Sequence, residues 1–119
     1  MTAVKVNLPV IEQGADYNHN FFWMELDKVT PINLTNFEAR MQIRPTAESS
    51  TVLVELTTEN GRITISPVLG KIALDIPNSI TNTLPPTKDA VYDIELVNVD
   101  GRVIRLAEGK VTIKIQVTR

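Results

Sequence analysis

Glycine turns at short intervals constrain this chain more than any other feature. From Thr51 onward, short alternating apolar runs are cut by turn residues. Thr51 to Thr57 stops at Asn60-Gly61, and Arg62 to Ile65 leads to Leu69-Gly70. Lys71 to Ile76 ends at Pro77, Val91 to Val97 stops at Asp100-Gly101, and Arg102 to Leu106 stops at Glu108-Gly109. Asn-Gly and Asp-Gly supply the positive φ angles that a tight hairpin needs, so the pattern predicts antiparallel strands in series.

The upstream half extends the pattern. Residues 1–15 read as an extended N-terminal arm in which Val4, Val6 and Leu8 alternate with Lys5 and Asn7 until Pro9 interrupts. Proline cannot donate to a ladder, which places the arm at an edge. Tyr17 to Leu26 reads as a long strand with Tyr17, His19, Phe21 and Trp23 on one face. Phe22 and Met24 lie on the other, so one apolar face awaits a loop or a partner. Phe37, Ala39, Met41 and Ile43 alternate with charged or polar residues in a half-buried strand. Later strands bury Val52, Val54 and Leu56, then Ile63 and Ile65, then Ile72, Leu74 and Ile76. Tyr92, Ile94 and Leu96 follow, and then Val111, Ile113, Ile115 and Val117. Asn78 is expected to cap one helical turn that Pro85-Pro86 forbids from continuing.

About eight or nine strands result, without a long helix, and a two-sheet sandwich is the natural closure. The 119 residues are expected to form a single all-β domain. Met41, Val54, Leu74, Tyr92, Ile94 and Ile113 are expected in one core.

Composition narrows the function. Net charge is −2, which argues against a dedicated nucleic-acid binder. Residues 1–60 carry four Lys/Arg against eight Asp/Glu, and residues 61–119 carry eight against six. Such an asymmetry fits complementary surfaces in an assembly. Cysteine is absent, so disulfide and thiolate chemistry are excluded. The N-terminal residues do not have the pattern of a secretory signal, and no apolar run approaches the ~18 residues of a membrane span. Synthesis in a cytoplasm, without membrane association, is therefore expected.

His19 is the sole histidine, so any Ser/His/Asp triad would have to use it. It lies within an aromatic strand, where a packed histidine is the ordinary case. Asp89, Asp93 and Glu95 are the nearest approach to a calcium site, but Asp93 and Glu95 alternate along one strand as a solvated face would. Tyr17, Phe21, Phe22 and Trp23 would suit a sugar-stacking platform, and equally a core strand. Arg40 and Arg44 share the outward face of their strand and are placed to meet an acidic partner or plain solvent. No catalytic, cofactor-binding or metal residues are expected.

Several segments, taken in order, resemble a family of small tailed-phage and prophage proteins. They are Gln13-Gly14-Ala15-Asp16 leading to Phe22-Trp23, then Pro31-Ile-Asn-Leu-Thr35, Ala39 to Arg44, Leu56 to Ile65, Val91 to Leu96, Arg105 to Val111, and the terminal Val117-Thr-Arg119. The pattern is more distantly similar to the N-terminal domain of phage upper-baseplate proteins, which shares the Pro-Ile-x-Leu-Thr turn before a strand. The family pattern has glycine after Leu-Thr where this chain has Asn36, a residue that also tolerates the left-handed region.

The resemblance implies an immunoglobulin-like sandwich of about eight or nine strands. It implies a non-enzymatic structural part of a virion, in the tail or baseplate. The implied partners are other phage structural proteins, with homo-oligomerisation in the particle. Candidate interface residues are Val4, Val6, Leu8, Phe22, Met24, Arg40 and Arg44. The arm is expected to serve assembly more than the fold. Within virion proteins the alternative is a capsid decoration protein, and from another class a carbohydrate-binding module for a host glycan.

Overall fold

The alternating runs close into two sheets in the computed structural model, which describes residues 4–25, 27 and 29–118. Nine strands are present among the described residues: β1 (Val4–Lys5), β2 (Ile11–Glu12), β3 (Tyr17–Phe22), β4 (Glu38–Arg44), β5 (Val54–Thr57), β6 (Ile63–Ser66), β7 (Lys71–Ile76), β8 (Thr87–Val97) and β9 (Val103–Lys114). The larger sheet runs β1-β9-β8-β4-β5, with β2 also on β9, and the smaller runs β3-β7-β6. The fold is an all-β sandwich.

Period-2 burial explains the closure. Ala39, Met41 and Ile43 of β4 face Leu96, Ile94 and Tyr92 of β8 in register, and all six are buried. On the smaller sheet, Ile72, Leu74 and Ile76 of β7 turn toward them. Met41, Val54, Leu74, Tyr92, Ile94 and Ile113 share one continuous core, as the alternation predicts.

The arm departs from expectation. β1 and β2 both pair with β9, in parallel, at Val4↔Ala107 and Ile11↔Ile113. Between them, the Val6 and Leu8 N–H groups donate to the Glu108 and Lys110 carbonyls at 2.9 Å. Leu8 and Ile11 are core residues at 7% and 0% exposure. Two phenols fasten the arm further: Tyr17 donates to the Pro9 carbonyl at 2.8 Å and Tyr92 to that of Val6 at 2.5 Å. Residues 4–12 are thus an integral sheet edge. Pro9 interrupts the ladder without detaching the strand, because Leu8 and Ile11 on either side of it bury their side chains. Residues 1–3 of the arm lie outside the described residues.

The glycine turns divide into several kinds. Asp100-Gly101 closes a true hairpin, with β8 and β9 paired from Val97↔Val103. Asn60-Gly61 does not, for β5 and β6 belong to different sheets and the turn carries the chain across the sandwich. Glu108-Gly109 is no turn at all. β9 runs straight through it, and a Cβ on Gly109 would collide with the Val6 carbonyl oxygen. Glycine in a strand often marks such a close backbone approach.

Other corrections are local. β9 ends at Lys114, leaving Ile115 and Val117 exposed, and Val52 precedes β5 and is exposed as well. Regular pairing in β3 ends at Phe22, after which Met24 makes an isolated bridge to Pro31; Leu26, the expected end of that strand, lies outside the described residues. The short helix α1 (Asn78–Thr81) is not capped by Asn78, whose N–H instead donates to the Asp16 carboxylate at 2.7 Å. Asn36 adopts φ 66°, the left-handed region expected of it.

Candidate interaction surfaces

The expected interface residues fall in three places. Val4 is exposed, Val6 half-buried and Leu8 buried along the arm. Leu8 is therefore committed to the core and is withdrawn as an interface residue. Phe22 is exposed and Met24 half-buried at the end of β3. Arg40 and Arg44 stand on the outer face of β4, separated from the arm by β8 and β9.

Cross-strand charge pairing accounts for Arg40, while Arg44 is held by neutral acceptors. Arg40 Nε meets Glu95 Oε1 at 2.9 Å across the β4–β8 register. Arg105 bridges Asp93 and Glu95, both at 3.4 Å. Arg44 donates to the Ser49 carbonyl at 2.6 Å and to Gln42 at 2.8 Å. An open depression on this face is lined by Lys5, Arg44, Asp93, Arg105, Glu108 and Lys110. Burial pushes the Asp93 carboxyl up, with Arg105 pulling the other way and Glu95 and Glu108 reinforcing the rise. Exposed pairs of this kind contribute little each. Their effect is to engage Asp93 and Glu95 with arginine.

The aromatic strand does not form a platform. Tyr17, Phe21 and Trp23 turn inward, and Phe22 alone faces solvent. His19 packs edge-on against Phe21 at 5.0 Å, and partial burial lowers its pKa, favouring neutral imidazole. Trp23 meets Phe37 edge-on at 6.4 Å. Among the described residues no three His, Asp or Glu side chains are grouped to hold a metal.

Sheet edges carry the information that strand-by-strand reading missed. The outer edge of β5 is plugged by side chains of the turn that follows it. The Glu55 carbonyl accepts from Asn60 Nδ2 at 3.0 Å and Arg62 Nη1 at 2.9 Å, while the Thr57 N–H donates to Asn60 Oδ1 at 3.0 Å. The arm edge carries Lys5 and is broken by Pro9. The β6 edge is four residues long and stops at Pro67. These are ordinary guards against edge pairing.

β3 has none of them. It pairs with β7 on one side, and among the described residues nothing pairs with its other side. The Trp23 N–H donates to Gly70 at 2.8 Å, so by strand alternation Tyr17, His19 and Phe21 bond toward β7. The N–H and C=O groups of Asn18, Asn20 and Phe22 therefore point off the edge. Over these six residues the strand carries no Lys, Arg, Asp, Glu or Pro. The Asn18 and Asn20 pair is legible in the sequence, but which strand forms an edge is not.

No model of a known protein family matches this chain, and no curated protein matches it.

Proposed function

We propose that this chain is a non-enzymatic structural protein of a tailed-phage virion, placed in the tail or baseplate and held there by protein–protein contacts. The unguarded edge of β3, with Phe22 exposed at its end, is the observation that carries the contact role. An edge strand offers main-chain hydrogen bonds to another strand, and alternate side chains set the register. The ordered segments that resemble small tail proteins supply the setting: synthesis in the bacterial cytoplasm, then incorporation beside other phage structural proteins. The paired Arg40, Asp93, Glu95 and Arg105 lie on the larger sheet, so the neutral β3 edge of the smaller sheet stands apart from them. The test is quantitative mass spectrometry of purified particles from the strain encoding the chain, beside particles from a deletion of its gene. Fixed stoichiometry in tails, with tail assembly lost in the deletion, is the expected result. Absence from particles overturns the proposal.

A further inference from the structure

We infer that the β3 edge joins a second copy of this chain, antiparallel about a two-fold axis through Asn20, so that two three-stranded sheets become one. This rests on the reading of that edge as a contact surface and names its occupant.

Register follows from the pleat. Directly opposed residues share a face, so His19 and Phe21, on the inner face, must oppose inner-face residues of the mate. Centring the axis on Asn20 achieves this. Asn20 then opposes Asn20, Asn18 opposes Phe22, and His19 opposes Phe21. Every outward N–H of Asn18, Asn20 and Phe22 finds a carbonyl on the mate, since these are the hydrogen-bonded positions left over by β7.

Charge favours a second copy over a charged foreign strand. A two-fold axis sets the edge against a copy of itself, which punishes an edge whose charges are all of one sign. Here the central outer row would read Ala73, Asn20, Asn20, Ala73, from the register Asn20↔Ala73. The flanking rows would read Asp75, Asn18, Phe22, Lys71, from Asn18↔Asp75 and Phe22↔Lys71. Each flanking row therefore ends in an acid on one copy and a base on the other. Phe22, 55% exposed alone, gains a neighbouring strand, and the half-buried His19–Phe21 pair meets its own counterpart inside the sandwich.

The test uses the intact chain, which has no cysteine of its own. Asn20→Cys and Asn18→Cys are oxidised mildly in separate tubes, with circular dichroism confirming the fold. In the proposed register Asn20→Cys forms a covalent dimer rapidly and Asn18→Cys does so at least tenfold more slowly. Mixing Asn18→Cys with Phe22→Cys restores cross-linking between unlike chains. Sedimentation should give the mass of two chains for the parent and one for Asn20→Lys. A parent that stays monomeric at millimolar concentration, or equal cross-linking of Asn20→Cys and Asn18→Cys, overturns the inference. These measurements need no particle, so a failed dimer leaves incorporation into tails to be judged by mass spectrometry alone.

Discussion

Replacing Ile11 with alanine separates an assembly arm from a structural edge. Ile11 is fully buried, pairs with Ile113 on β9, and lies in the common core. Truncation removes about three methyl or methylene groups at ~0.8 kcal/mol each, or ~2.4 kcal/mol of transfer free energy. The cavity left beneath β9 raises the expected loss to ~2–5 kcal/mol. Val10→Ala is the matched control, because Val10 is 48% exposed; its cost should stay within ~0.5 kcal/mol. The assay is urea unfolding followed by circular dichroism. At a slope of ~2 kcal/mol per molar, Ile11→Ala should lower the midpoint by ~1–2.5 M. Equal midpoints for Ile11→Ala and Val10→Ala would refute the arm as part of the fold. By the same argument, deleting residues 1–9 should destabilise the isolated domain, through lost β9 pairing and the loss of Leu8.

Other outcomes follow from contacts around that edge. Tyr92→Phe removes the hydroxyl that holds the Val6 carbonyl and should cost ~1–3 kcal/mol in the same urea assay. Burial, reinforced by Glu108 for Tyr92 and by Tyr92 for Tyr17, pushes both phenols up to about 12 from 10.0. Folding thus favours their protonated forms, so this stabilisation is complete below pH 10.0 and is lost as pH rises toward about 12. Urea midpoints across that window should fall less steeply in Tyr92→Phe than in the parent. Gly109→Ala should loosen the arm, read as faster hydrogen exchange at Val6 and Leu8, because its Cβ has no room beside the Val6 carbonyl. Arg62→Ala combined with Asn60→Ala unplugs β5 and should raise concentration-dependent light scattering, with little change in melting temperature; an unchanged scattering curve would count against the plug.

The sequence by itself determined the strand faces. Ala39, Met41 and Ile43, like Tyr92, Ile94 and Leu96, turn inward because a period of two admits only one apolar side. It also determined that the chain is all β. Tertiary structure alone decided what each turn connects. Asn60-Gly61 and Asp100-Gly101 have similar local chemistry, yet one crosses between sheets and the other closes a hairpin. Turn residues fix nearby φ angles, whereas pairing depends on which distant strand buries the same face. The arm shows this most sharply. Its Val-x-Val-x-Leu alternation and Pro9 predict an edge, but only the β9 register, the close approach of the Val6 carbonyl to Gly109 and the two tyrosine hydroxyls decide that the edge belongs to its own sheet. The openness of β3 is likewise a property of topology, because an edge exists only once every other strand has chosen its neighbours.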